Sequence, residues 1–539
     1  MPDSHPRLKM EGLPLGATGA AASLRIPATG PVYGRRGVVA SAHHLATLAG
    51  LDVMRAGGNA IDAAIATSAV MVVVQPYSSH LGGDAFTLIR TSSGETLAVN
   101  AGGRASHNAS PDDYPNGIPM RGATAVAVPG MVDAWCAVHE RLGSKPMAAL
   151  LAPAIGLARK GFSVTRGLAR AIAGYEETLR ADKGCADVFL SDGPPERGAL
   201  LKQPDLARTL DAIATGGRDA FYSGETGERI IECLQAGGSK LDREDFAQDQ
   251  AIWGEPLKIS YRDWTVYEQP LPSQGFITLE ALNIVEGYEP GDSPVAPEFV
   301  HRAAEAIRLA FYDKIAYAGD PDATDMPIER LLSKAYAAEQ RARIDDGRPA
   351  IATHGGDTTS FATADGEGNL VKFIQSTFQP WGAAVLVPGT GVMLNDRMYG
   401  FSVDANSPNV VRPGMRANHT LNTWLLEREG GPTYAGGTPG ADYQVQVNLQ
   451  VVSGLVDFNL NPQAAINAPK WVLTGPGDLA LEARFPDATF QELERLGHTV
   501  VRGADWETTL CRAQMVGRHE DGTLIGASDA RAEGTALSF

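Results

Sequence analysis

The stretch DTTSFATADGEGNLVKFIQST, residues 357–377, decides the fold. Two runs rich in Thr, Phe, Val and Ile flank the turn GEGN, a pattern that predicts a β-hairpin because Gly and Asn accept the backbone angles of tight turns. The cluster Thr358-Thr359-Ser360 stands at the entrance of this hairpin. Taken alone, such a cluster is typical of a Thr/Ser-rich edge strand, so its wider sequence context must decide whether it carries chemistry.

Upstream of the hairpin the pattern is mainly helical. After the strand-like GVVAS, which starts at Gly37, the stretch HHLATLAGLDVMRAGG predicts a helix with a left-handed cap at Gly57-Gly58. A second helix follows, begins near Asn59 or Asp62, and is rich in small residues that permit close packing in the interior. Residues 130–350 are mostly helical, interrupted by the strand-like LKISYRDWTVYE, and residues 1–36 predict an extended arm without chemistry.

The composition is that of a large globular protein. The chain has 539 residues, 44% of them hydrophobic and 20% charged, with a net charge of -17. This negative charge opposes binding to nucleic acid or to anionic membrane surfaces. The four cysteines form no C-x-x-C pair, and neither an apolar signal region nor a membrane-spanning run is seen, so we expect a soluble cytoplasmic protein.

Several kinds of catalytic site lack their sequence marks. We find no H-E-x-x-H, no G-x-x-x-x-G-K-[ST] and no G-x-S-x-G, which argues against a zinc protease, a P-loop enzyme and a serine hydrolase with a nucleophile elbow. The adjacent His43 and His44 are expected to point apart on a strand or a helix, so we interpret them as structural. The sequence predicts no metal site and no cofactor.

Many segments follow one another in a fixed order along the chain: HHLATLAGLDVMRAGGNAIDAAIAT (43–67), LGGDAF (81–86), AVPGMVDAW (127–135), LLAPAIGLARKGFSV (150–164), KQPDLARTLDAIATGGRDAFYSGE (202–225), AGDPD (318–322), DTTSFATADGEGN, GVMLND, GGTPGAD (436–442), NPQAAINAPKW and GASDARAEG. Their joint order resembles the gamma-glutamyltransferase family over residues 37–539. The resemblance implies an α+β fold, the four-layer αββα sandwich of N-terminal-nucleophile hydrolases. It also implies one inactive chain that cuts itself between Asp357 and Thr358, giving a large subunit (37–357) and a small catalytic subunit (358–539).

The resemblance assigns roles near the cut. Thr358 would be the nucleophile, with its new α-amino group as general base, because an amine with a pKa near 7.7–8.0 accepts protons at neutral pH more readily than a lysine. Thr359 matches the family's second threonine and would support the nucleophile. Ser376 stands where the family usually has another threonine, and its hydroxyl would form a hydrogen bond with the Thr358 hydroxyl and assist processing. Gly440 and Ala441 match the oxyanion-hole loop, although Ala in place of the second glycine constrains the backbone.

The positions that hold a glutamyl carboxylate in the family are altered. Gly102 stands at the place of the family's arginine, and we expect that Arg104, two residues further on, reaches across to the same region. His419-Thr420 replaces the family's serine pair.

The positions that hold the glutamyl amino group differ as well, with Phe378 and Gly400 replacing an asparagine and an acidic residue. Arg397 stands where a neutral or acidic residue is typical, which favours an anionic or neutral substrate. We therefore predict that Arg397, His419 and Thr420 shape the pocket. Two alternatives stay open: Arg397 as a surface or subunit-bridging cation, and His419 as a buried structural histidine.

Three functions compete. The first is a divergent amidohydrolase acting on a small carboxylate-bearing or acyl amide, such as the amides hydrolysed by oxamate amidohydrolases and cephalosporin or glutaryl acylases. The second is an orthodox gamma-glutamyltransferase or glutathione hydrolase, against which the changes at Gly102, Phe378 and Gly400 argue. The third is an unprocessed scaffold. The expected partners are a small-molecule amide and the two subunits of one precursor, which would stay together and could form a dimer of heterodimers.

Overall fold

A computed structural model describes residues 30–248, 250–344, 353, 355–474 and 478–539. The strands are β1 (Val32–Gly34), β2 (Gly37–Ser41), β3 (Asp84–Arg90), β4 (Thr96–Ala101), β5 (Phe162–Ser163), β6 (Leu200–Leu201), β7 (Ile252–Gly254), β8 (Leu257–Tyr261), β9 (Trp264–Glu268), β10 (Thr359–Asp365), β11 (Leu370–Ser376), β12 (Leu386–Val387), β13 (Val392–Met393), β14 (Trp424–Glu427), β15 (Thr433–Gly437), β16 (Trp471–Thr474), β17 (Asp478–Leu481), β18 (Thr499–Arg502), β19 (Gln514–Arg518), β20 (Leu524–Ser528) and β21 (Thr535–Ser538).

The helices are α1 (His44–Arg55), α2 (Ala60–Val74), α3 (Met131–Leu142), α4 (Met147–Lys160), α5 (Arg166–Gly174), α6 (Glu176–Ala181), α7 (Lys183–Phe189), α8 (Pro204–Tyr222), α9 (Glu225–Ala236), α10 (Arg243–Ala247), α11 (Phe276–Val285), α12 (Pro297–Tyr317), α13 (Ile328–Leu331), α14 (Lys334–Arg341), α15 (Tyr443–Val456), α16 (Pro462–Asn467) and α17 (Asp487–Arg495). None of the described helices is long and apolar enough to cross a membrane.

The predicted hairpin lies at the centre of a seven-stranded antiparallel sheet. β10 pairs with β11, and the order across this first sheet is β21-β2-β10-β11-β3-β4-β7. Every residue of both hairpin strands is buried. The strand pattern near LKISYRDWTVYE is also confirmed, since β8 and β9 form a hairpin at the edge of the second sheet, whose order is β1-β20-β19-β15-β14-β9-β8.

The two sheets pack face to face between two layers of helices, so the predicted αββα sandwich is confirmed. Small and branched side chains fill the space between the sheets, because interior-facing residues of stacked sheets must interdigitate. They are Val38, Ala40, Leu88, Ala98, Ala362, Ala364 and Leu370 from the first sheet, and Leu425, Ala435, Val516 and Leu524 from the second. Helices α1 and α2 cover the outer face of the first sheet, and α11 and α15 cover that of the second.

The predicted helix boundaries near the N-terminus are largely correct. Asn59 caps α2 and accepts a hydrogen bond from the Asp62 N–H, while Gly57 has a φ of +84° just beyond α1. The expectation that His43 and His44 point apart is wrong. Their rings stack with centroids 4.5 Å apart, because His43 is the extended N-cap of α1 and accepts from the Leu45 N–H rather than continuing the helix.

Part of the predicted arm is a strand. Residues 32–34 form β1, which pairs with β20 at the edge of the second sheet, whereas residues 1–29 lie outside the described part of the chain. β7 is a further strand that the sequence did not predict, since three residues are too few to show an alternating pattern.

Candidate active site

Strand register brings the predicted nucleophile and its partner together. Thr359 pairs with Gln375 across the hairpin, so Thr358 and Ser376 occupy the next opposing positions. On the other side of β11, Ser376 pairs with Asp84 of β3. Because opposing residues of antiparallel strands share a face, one row across the sheet contains Asp84, Ser376 and Thr358.

The hydroxyl groups of this row surround the peptide bond that is predicted to be cut. The Thr358 Oγ1 lies 2.8 Å from the carbonyl oxygen of Asp357 and 3.2 Å from the Ser376 Oγ. Ser376 Oγ donates to the same carbonyl oxygen at 2.8 Å and accepts from the Phe378 N–H at 2.8 Å. The predicted hydrogen bond between Thr358 and Ser376 is therefore present, and both hydroxyls lie against the carbonyl of Asp357.

The side chain of Asp357 is held from several sides. Its Oδ1 accepts hydrogen bonds of 2.9 Å from the Thr358 N–H, from Ser78 Oγ and from Arg512 Nη2. Although burial disfavours the charged form of Arg512, the neighbouring carboxylate of Asp357 raises the pKa of the guanidinium. The residue preceding the predicted nucleophile is thus fixed through its own carboxylate.

The loop that resembles the family's oxyanion hole lies against the chain just before the predicted cut. A Cβ on Gly356 would lie 2.9 Å from the Cβ of Ala441, so the two backbones approach closely. Gly440 has a φ of +132° and Ala441 a φ of +49°, which agrees with the expected constraint on alanine. The carbonyl of Ala441 accepts from Gln274 Nε2 at 2.9 Å, which ties the loop to the start of α11.

Arg397 and His419 come together around a third residue, Asp84. Arg397 Nε donates to Asp84 Oδ2 at 2.7 Å, and His419 Nε2 lies 3.1 Å from the same oxygen. The alternative of a surface cation is wrong, because the Arg397 side chain is only 1% exposed. The alternative of a subunit-bridging cation fits, because Asp84 precedes the predicted cut and Arg397 follows it. Its guanidinium lies under the ring of Phe378, 4.2 Å from the centroid.

The charges of this cluster compensate one another. His419 Nδ1 accepts from the Leu421 N–H, which assigns the ring proton to Nε2. Burial, together with the charge of Arg397, lowers the pKa of His419 to about 4 against the opposing effect of Asp84. Burial would raise the pKa of Asp84, but Arg397 and His419 hold it below its usual value. His419 is therefore a buried neutral histidine, and the cation of Arg397 is neutralised by Asp84.

The packing of His419 explains why the smallest residue, glycine, stands at position 102. A Cβ at Gly102 would lie 3.0 Å from His419 Cδ2 and 3.3 Å from Phe86 Cε1, so any side chain at this position would press against His419 and Phe86. A guanidinium does approach from elsewhere, since Arg416 Nε donates to the Gly102 carbonyl at 2.9 Å.

Three further residues with predicted site roles, Arg104, Thr420 and Thr359, make other contacts than those expected from the sequence. The expectation that Arg104 reaches across is wrong, because its guanidinium bonds the Gly414 carbonyl at 2.8 Å and lies 3.5 Å from Asp322. Thr420 is half-buried and its carbonyl accepts from Gln274. The hydroxyl of Thr359 is buried and has no hydrogen-bond partner among the described residues, so its support for the nucleophile is not a hydrogen bond in this structure.

One group of side chains has the spacing of a metal site. The ligand atoms of His107, Asp242 and Asp245 lie within 4.8 Å of one another. The His107 Nδ1 is already 2.9 Å from Asp245, and Asp242 caps α10, so hydrogen bonding accounts for the arrangement.

Sequence reasoning missed the partners of the residues it found. Asp84 was visible inside LGGDAF, and its pairing with Ser376 follows only once the strand order is known. Ser78 and Arg512 are far from the hairpin in sequence, and no local pattern marks them.

The fold and the site together define an N-terminal-nucleophile hydrolase. The family model for gamma-glutamyltranspeptidase matches residues 46–539, so the chain belongs to this family. The glutathione hydrolase-like YwrD proenzyme of Bacillus subtilis is 37% identical, covering 94% of this chain and 99% of the relative. The oxamate amidohydrolase proenzyme of Klebsiella pneumoniae is 33% identical, covering 93% and 98%.

Comparison with a solved structure also supports membership of this family. The cephalosporin acylase from Bacillus halodurans superimposes with a TM-score of 0.89 at 36% identity, covering 95% of this chain and 97% of the acylase. The chain is therefore a hydrolase of the gamma-glutamyltranspeptidase family, with amidohydrolase or acylase proenzymes among its relatives.

Proposed function

We propose that the chain is a self-processing amidohydrolase whose nucleophile is Thr358, and that it hydrolyses a small carboxylate-bearing or acyl amide such as oxamate. The observation that carries this proposal is the convergence of the Thr358 and Ser376 hydroxyls on the carbonyl of Asp357. A scaffold without activity has no need to bury two hydroxyls at one peptide carbonyl.

Maturation begins when Thr358 Oγ1 attacks the carbonyl carbon of Asp357. The C–N bond of the peptide breaks, a C–O ester forms, and the hydroxyl proton ends on the new amine of Thr358. Water then hydrolyses the ester, which leaves Asp357 with a free main-chain α-carboxylate and restores the Thr358 hydroxyl. The short hydrogen-bonding distance from Ser376 Oγ to the carbonyl oxygen supports a role for Ser376 in stabilising the charge that develops there.

Catalysis repeats the same chemistry on an external amide. The free amine of Thr358 takes the hydroxyl proton, Oγ1 attacks the amide carbon, and the backbone N–H groups of Gly440 and Ala441 stabilise the oxyanion. The amine product leaves with the proton, and water releases the acid.

Two observations favour a substrate other than a gamma-glutamyl compound. The arginine position of the family is filled by Gly102, where a larger side chain would crowd His419. The position of the acidic residue is Gly400, and Phe378 covers the paired guanidinium of Arg397. The support for a carboxylate-bearing acyl group comes from Asp357, whose own carboxylate is accommodated next to the nucleophile.

The test uses matured protein. Oxamate and other small monoamides should be hydrolysed with kcat/KM at least about tenfold above that of a gamma-glutamyl anilide, since each 1.4 kcal/mol of lost recognition is worth a factor of ten. A higher kcat/KM for the gamma-glutamyl anilide would instead favour an orthodox gamma-glutamyl enzyme.

A further inference from the structure

The carboxylate of Asp357 occupies a site built by residues from two distant segments. Ser78 Oγ and Arg512 Nη2 both donate to its Oδ1 at 2.9 Å. The side chains of Asp357 and Arg512 are 13% and 24% exposed, so this ion pair is largely shielded from water. Charge-assisted hydrogen bonds of this length are the stronger ones in proteins.

Both donors are anchored to the catalytic framework and not to the segment that ends at Asp357. The carbonyl of Ser78 accepts from the Thr377 N–H at 3.2 Å, directly after β11. The Arg512 N–H donates to Thr438 Oγ1 at 3.1 Å, in the loop that also contains Gly440 and Ala441. Hydrolysis of the Asp357–Thr358 bond ends the covalent link between Asp357 and the nucleophile, whereas both donors keep these attachments.

The self-cleavage ester has the connectivity of an acyl-enzyme. Its acyl carbon is the Asp357 carbonyl carbon bonded to Thr358 Oγ1, and the side-chain carboxylate is the fourth carbon of the same acyl group. The chain therefore forms, on its own nucleophile, the acyl-enzyme of a four-carbon dicarboxylic acid.

We infer that Ser78 and Arg512 form a carboxylate subsite, which positions Asp357 during maturation and afterwards binds the distal carboxylate of a four-carbon dicarboxylic acid monoamide such as succinamate or an α-aspartyl amide. This inference rests on the proposed function of Thr358 and refines its substrate class. In oxamate the carboxylate is bonded directly to the amide carbonyl carbon, so it does not reach the subsite when that carbon is at Thr358 Oγ1.

The experiment compares the monoamides of oxalic, malonic, succinic and glutaric acid with butyramide, which has the length of succinamate without the charge. The matured protein should have its highest kcat/KM on succinamate. Arg512→Gln should raise the KM for succinamate about 10- to 100-fold, the range expected for loss of a hydrogen bond between charged groups, and leave that for butyramide within about twofold. As a control, Arg90→Gln removes an ion pair to Glu427 at the C-terminal end of β3 and should leave the KM values for succinamate and butyramide unchanged.

Binding is measured separately from activity by calorimetric titration of succinate into matured protein. Succinate should bind to the wild type and bind at least about tenfold more weakly to Arg512→Gln. If Arg512→Gln fails to mature, Ser78→Ala serves as a second variant because it keeps the charge of Arg512. It should mature more slowly than the wild type and bind succinate more weakly.

The outcomes separate the two claims. Hydrolysis of oxamate in preference to succinamate, or unchanged succinate binding in Arg512→Gln or in matured Ser78→Ala, overturns the subsite while the proposed amidohydrolase stands. Matured protein that binds succinate through Arg512 but hydrolyses none of the amides overturns the proposed function and keeps the subsite.

Discussion

The hydroxyl oxygens of Thr358 and Ser376 lie 3.2 Å apart, at opposing positions of one hairpin. Both also lie 2.8 Å from the Asp357 carbonyl oxygen. A turn of fixed length sets the register of an antiparallel hairpin, so the turn GEGN determines which residue of β11 faces Thr358.

Ser376→Ala should slow self-cleavage about 10- to 100-fold, because the Asp357 carbonyl loses a donor and the Phe378 N–H loses its acceptor. Ser376→Thr keeps the hydroxyl and should mature at a rate near that of the wild type. The measurement is the fraction of cut chain against time, followed by denaturing electrophoresis. Equal rates for the alanine variant and the wild type would exclude Ser376 from maturation.

Removing one partner of the buried pair between Arg397 and Asp84 should cost stability. Arg397→Met leaves the carboxylate of Asp84 buried without its cation and should lower the free energy of unfolding by about 3–5 kcal/mol. Arg35→Met, which removes the exposed pair with Asp521, should cost only about 0–1 kcal/mol. Urea unfolding of both variants is best measured in uncut Thr358→Ala protein, where the chain is single. A loss below about 1 kcal/mol for Arg397→Met would show that the pair contributes little.

Gly102 and His419 should be coupled. Gly102→Ala places a Cβ 3.0 Å from the His419 ring and should destabilise the fold by about 1–3 kcal/mol through overpacking. In a His419→Ser background the same change should cost clearly less, which a double-mutant cycle of unfolding free energies measures. Additive costs would mean that the two residues do not compete for space.

Acid should destabilise the fold partly through His419. The pKa of His419 is lowered from 6.5 to about 4, so the unfolded chain binds one more proton than the folded chain between these pH values. Its contribution of about 3 kcal/mol is complete above pH 6.5 and is lost as the pH falls towards 4. His43 and His80 act in the same direction, while Asp396, whose pKa burial raises to about 7, acts in the opposite one.

The contribution of His419 is isolated by comparing uncut Thr358→Ala protein with the same protein carrying His419→Gln. The loss of unfolding free energy between pH 7 and pH 4.5 should be smaller in the variant. Equal losses of unfolding free energy in the two proteins would mean that His419 has the same pKa in the folded and the unfolded chain.

The sequence predicted the hairpin, the helices around it and the αββα class, because these depend on local patterns and on the order of many family segments. It also predicted that Thr358 and Ser376 meet. It did not predict that Asp84 would neutralise Arg397, because this pairing requires β3 to lie next to β11. The contribution of Arg512 has the same origin, since it is 155 residues from Asp357 in the chain. Contacts made through strand order and loop packing leave no local mark in a sequence.

The most direct test of the central claim is the intact mass and N-terminal sequence of purified protein after incubation, compared with Thr358→Ala. We predict that the wild type gives two fragments, the smaller beginning Thr358-Thr359-Ser360, while the variant stays a single inactive chain of 56.9 kDa. Two-fragment processing of the Thr358→Ala variant, or a wild type cut at another bond, would contradict the account.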